Sequence, residues 1–95
     1  MSTYVALADV NEGEFQNVQE LAAIWGDVRA DIEGLDCELR DAYVLLGDHD
    51  ALLVFDAEDE HQALEVSMAV ERYGVHLDTM EAIDVDDLGK VVEDI

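Results

Sequence analysis

The groups in this 95-residue chain with the chemistry to act on a ligand are three histidines, one cysteine, four cationic side chains and 25 carboxylates. His49 sits between Asp48 and Asp50, and an imidazole, with its pKa of about 6.5, can exchange a proton near neutral pH or ligate a metal. Consecutive residues in a turn point in different directions, so sequence adjacency alone makes no His–Asp dyad here. Gly47, Asp48, His49 and Asp50 are read instead as a turn, with Gly47 and Asp50 shaping it. His76 and Asp78 lie two apart on one strand face, together with Met80. A metal there needs a third ligand from elsewhere, and a surface contact is the simpler reading. Arg40 can take a carboxylate or phosphate or pair with an acid on an adjacent strand. Strand alternation puts it with Ala42 and Val44, opposite Asp41 and Tyr43. Tyr4 and Tyr43 either close a pocket or pack with the phenol at the rim. Arg40, Tyr43, His49 and His76 are the candidate ligand-binding residues. No catalytic residue, metal or cofactor is assigned: phosphate-cradling loop, zincin helix and nucleophile elbow are all missing. His61 reads as part of a solvated helix start, Trp25 as core, and Cys37 as a small buried hydrophobe without a disulfide partner.

The elements that must position these residues follow from periodicity, in a chain with no proline and six glycines. Residues 3–10 alternate as a strand. Over 14–33 the apolar residues Phe15, Val18, Leu21, Ala22, Trp25, Val28 and Ile32 step by threes and fours, one amphipathic helix stopping at Gly34. Residues 37–46 form a second strand and 51–57 a third. Ala51, Leu52, Leu53, Val54 and Phe55 show no polar alternation, so that strand must be covered on both faces. Asp59 caps a second helix with Ala63, Val66, Ser67 and Val70 on one face, ending at Tyr73 and Gly74. A fourth strand spans 75–83, and Asp84 or Asp86 opens a short helix running to Glu93. This order predicts an α+β, ferredoxin-like βαββαβ domain over residues 1–95: a four-stranded antiparallel sheet, two helices on one face and a short C-terminal helix.

Two helices cover one side of such a sheet. The all-apolar third strand, with Val44, Leu46 and Met80, predicts a second buried side. A soluble monomer rarely exposes a patch of that size, so a homodimer packed sheet to sheet is expected, with a higher oligomer as an extension of it.

The opening MSTYVALADVNEGE, the helix through Val18 to Glu33 and the segment from Arg40 to Ala51 together resemble the GYD-domain proteins. Gly47 and Asp50 match the Gly-Tyr-Asp type turn of that family, with His49 where Tyr is common. The resemblance spans residues 3–88 and implies a dimeric α/β barrel. It implies for His49 a packing or cavity-lining role, because the residue it replaces is a flat aromatic.

The net charge is −21 against a hydrophobic content of 51%. That apolar content is not the composition of a disordered chain. Four cations cannot neutralise a run of phosphates, which excludes nucleic acid, and anionic membrane surfaces are disfavoured likewise. The acids are spread along the chain and lysine is nearly absent, a pattern that looks like the proteins of salt-loving archaea and suits multimolar salt, where self-repulsion is screened. With no signal peptide and no apolar run of about 20 residues, a cytoplasmic location is expected. The function expected is a small-molecule-binding or regulatory module. The alternatives are a cofactor-free monooxygenase-type enzyme, by fold analogy, and an acidic protein-interaction module.

Overall fold

A computed structural model of the chain describes residues 1–10 and 17–93. Its elements are β1 (Ser2–Val10), α1 (Asn17–Glu33), β2 (Glu38–Val44), β3 (Ala51–Ala57), α2 (Glu60–Glu71), β4 (Val75–Ala82) and α3 (Val85–Glu93). The strands form one antiparallel sheet in the order β2-β3-β1-β4. The expected βαββαβ order with a C-terminal helix is therefore present. The first part of the expected first helix, with Phe15, lies outside the described residues.

One face of the sheet carries the core. Tyr4, Ala6, Ala8 and Val10 alternate inward on β1, as do Ala51, Leu53, Phe55 and Ala57 on β3, against Val28 and Ile32 of α1 and Val66 and Val70 of α2. Phe55 is fully enclosed and stacks with Tyr4 at 5.7 Å between ring centroids. Asp59 takes an extended backbone and accepts the Gln62 N–H at 2.9 Å, fixing the start of α2. Gln62 then ties that start to the end of α1, its Nε2 donating to the Leu35 carbonyl at 2.7 Å. The turn after α1 is made at Asp36, with φ +64°, rather than at Gly34, whose amide still bonds the Ala30 carbonyl. Of the two openers expected for α3, Asp84 acts: its carboxylate accepts the Asp86 N–H at 2.8 Å.

Two sequence-based assignments on β2 change. The strand ends at Val44, not at residue 46, because Leu45 N–H turns to the Asp50 carbonyl and closes a loop over 45–50. Leu46 lies in that loop, 98% exposed, and Val44 is the register partner of Ala51 on the helix-facing side, so neither joins the open face. A register shift between Leu39 and Asp41 also breaks the alternation at Arg40. Its guanidinium reaches Asp56 (3.6 Å) and Thr3 (3.4 Å) on the open face instead of sharing a side with Ala42 and Val44.

The open face holds Val5 and Leu7 of β1, Leu52 and Val54 of β3, Tyr43 of β2 and Met80 of β4. These residues are half-buried or exposed within the single chain. The C-terminal helix does not cover them, since α3 buries none of its residues.

Candidate functional site

Among the described residues, an open groove runs between α1 and the sheet. Alanine occupies four positions that face one another there: Ala8 and its cross-strand partner Ala51, Ala42 of β2 and Ala22 of α1. Side chains this short leave a cavity of about 270 Å³, walled by Leu21, Trp25, Val28, Leu53, Val70 and Val75. Protein interiors ordinarily pack to the density of organic crystals, so an apolar space of this size is large enough for a small ligand. Tyr43 and Val44, 54% and 56% exposed, stand at its β2 side.

Of the four candidate ligand-binding residues, only Tyr43 borders this cavity, from an edge strand on which its register position belongs to the open face. Arg40 sits at the other end of β2, held by Asp56, whose Oδ1 also accepts the Thr3 hydroxyl at 2.7 Å. His76 is on the open face as expected, but its Nδ1 lies 3.9 Å from Glu71 rather than pairing with Asp78. His49 is brought to a partner forty residues away: its Nδ1 stands 3.0 Å from Asp9 Oδ2. Asp9 is in turn the β-ladder partner of His76, so one imidazole–carboxylate pair and a second histidine share one end of the open face.

The loop geometry accounts for the turn motif. Gly47 has φ +153°, a conformation that side-chain-bearing residues rarely adopt. Asp50 joins β1 twice, its N–H donating to the Ala8 carbonyl at 2.9 Å and its Oδ2 accepting the Val10 N–H at 2.8 Å. Asp48 is exposed and His61 is exposed at the start of α2. Cys37 is buried, which pushes its thiol pKa up and makes it a poor nucleophile. Among the described residues no three His, Cys, Asp or Glu side chains gather to hold a metal, and no helix is long and apolar enough to cross a membrane.

A family model, that of the GYD domain, matches residues 4–92, nearly the whole chain. The chain belongs to the GYD domain family. The match takes in every described strand and helix of this GYD domain except the ends of β1 and α3. No curated protein and no solved structure matches the chain.

Trp25 and the facing alanines are the site residues that reading the sequence missed. Trp25 falls on the apolar stripe of α1 and reads as core. The available signal was the coincidence of Ala8, Ala42 and Ala51 at inward positions, which becomes visible only with the strand register in hand.

Proposed function

We propose that this GYD domain is a small-molecule-binding module that takes an uncharged, largely apolar ligand into the cavity between α1 and the sheet. The observation that carries the reading is the alanine-floored cavity of about 270 Å³ beside Trp25. A concave, predominantly apolar lining of this kind suits an apolar guest. The functional unit in this reading is a homodimer joined through the open sheet face, because Val5, Leu7, Leu52 and Val54 form an apolar strip that no described element fully buries. The exposed Val85, Leu88 and Val92 of α3 supply a second surface for higher assembly. The dispersed acidic surface fits a salt-rich cytoplasm.

The test is a thermal-shift series with small aromatic and aliphatic compounds in multimolar salt, run on the native chain and on Ala42→Phe, whose ring fills the cavity. Stabilisation of the native chain that the variant loses supports the reading. Equal shifts in both, or none across a broad series, contradict it.

One observation favours a second reading. In the Asp9–His49 pair the carboxylate orients the imidazole through Nδ1 and leaves Nε2 free to exchange a proton with a substrate, as an enzyme of cofactor-free type requires. Neither His49 nor His76 lines the apolar cavity, which is why the binding reading stands first.

A further inference from the structure

Between α2 and β4, toward the Tyr4–Glu81 end of the sheet, lies a second cavity of about 310 Å³ with a different lining. Three hydroxyls, from Tyr4, Ser67 and Thr79, and two carboxylates, from Glu60 and Glu81, surround it, with Ala63 and Leu64 as its apolar wall. Tyr4 is the residue that makes this more than an acidic patch. It is 5% exposed, its ring is fixed against Phe55, and its hydroxyl has no hydrogen-bond partner among the described residues. Buried polar groups are nearly always partnered, and no described residue meets the hydrogen-bonding capacity of this phenol. Burial, together with the negative charges of Glu81, Glu60 and Asp59, raises its pKa, so it stays protonated at neutral pH.

The hydroxyl chemistry specifies what is missing. Ser67 Oγ donates to the Ala63 carbonyl at 3.2 Å and lies 2.8 Å from Thr79 Oγ1. With the Ser67 proton so committed, Thr79 donates to Ser67, and the Thr79 oxygen is left as an acceptor. The lining thus offers acceptors from Thr79, Tyr4 and two carboxylates, and it holds no cationic side chain. The chain's four cations lie elsewhere, each beside another acid: Arg29 with Glu33, Arg40 with Asp56, Arg72 with Asp31 and Lys90 with Asp87.

We propose that this α2–β4 cavity binds a primary ammonium group on a short aliphatic chain, the ammonium hydrogen-bonding to Glu60, Glu81 and the Tyr4 hydroxyl and the chain lying on Leu64. An ammonium supplies three donors and no acceptor, so it meets the Tyr4 oxygen while the Tyr4 proton is left to a carboxylate of the same lining, and hydrogen bonds to ionised partners are the stronger kind. The site shares no lining residue with the Trp25 cavity and does not depend on what binds there.

The test is a two-dimensional NMR titration of the full chain with n-butylammonium chloride, exchanged against sodium chloride at constant total salt. Saturable shifts are expected at the amides of Tyr4, Ser67 and Thr79. Glu81→Gln, at an exposed position that leaves folding intact, weakens binding by about ten-fold or more, and Tyr4→Phe, which keeps the ring packing, weakens it several-fold. Tetramethylammonium, which has no N–H, produces no saturable shift at these amides. Linear shifts spread over the acidic surface, an equal response to tetramethylammonium, or unchanged binding in Glu81→Gln overturns the proposal.

Discussion

Asp50 makes three bonds, two of them to β1: its carboxylate accepts the Val10 amide, its own amide donates to the Ala8 carbonyl, and its carbonyl accepts the Leu45 amide. Replacing it with Ala leaves the Val10 N–H unpaired in a part-buried position. Asp50→Ala is expected to lower stability by about 1–3 kcal/mol, measured by urea denaturation, while His49→Ala, whose imidazole is 40% exposed, stays within about 1 kcal/mol. The roles of Gly47 and Asp50 in a turn were legible because turn chemistry is local. The Asp9–His49 pair was not, since it depends on β3 lying next to β1 and on which face Asp9 takes. Arg40 was misplaced for a related reason: a bulge breaks the two-residue period on which face assignment rests. At this scale pH acts in one direction. Tyr73, which donates to Asp31, is raised chiefly by that hydrogen bond; Tyr4 and Cys37 are raised chiefly by burial. Each group is held neutral in the fold while the unfolded chain ionises at its ordinary value, about 8.5 for the thiol and about 10 for the phenols. Their contribution is fully present below those values and is lost as pH rises through the elevated ones. Urea midpoints are therefore expected to fall from about pH 9 upward, and a midpoint flat to pH 11 contradicts this.

Among the elements, β3 told most about the fold in advance. Its unbroken apolar run required cover on both sides, and it occupies an interior place in the sheet, between β2 and β1. The helices were legible from their stripes, and α2 also from its cap. Asp59→Ala is expected to cost about 1 kcal/mol through the lost bond to the Gln62 amide, seen as a lower urea midpoint with an unchanged slope. What periodicity could not supply was the depth of packing. The α1 stripe is the same whether the sheet beneath it carries large residues or alanines, so Trp25 read as core and the cavity was invisible. Nor could it foresee that α3, clearly amphipathic, buries none of its residues. Ending the chain at Asp84 is accordingly expected to leave the cooperative unfolding of the remaining elements unchanged in urea.

For the whole molecule, charge and solvent dominate. Each of the four cations has a carboxylate within 4.0 Å, yet 25 acids leave a surface that repels itself. Screening extends only about 3 Å at 1 M salt and about 10 Å at 0.1 M. The melting temperature is expected to fall as salt is lowered from multimolar to 0.1 M, and a constant value contradicts the solvent reading of the charge. In high salt, light scattering is expected to give twice the 10.5 kDa chain mass, with the apolar strip of Val5, Leu7, Leu52 and Val54 closed between two copies; a 10.5 kDa particle contradicts that arrangement. The binding role rests on the cavity, and the chain's single tryptophan reports on it directly. The decisive measurement is an NMR titration of the native chain with toluene, following the Trp25 indole N–H. A saturable shift there, absent in Ala42→Phe, is the expected result. A Trp25 resonance that does not move up to the solubility limit of toluene contradicts a ligand site between α1 and the sheet.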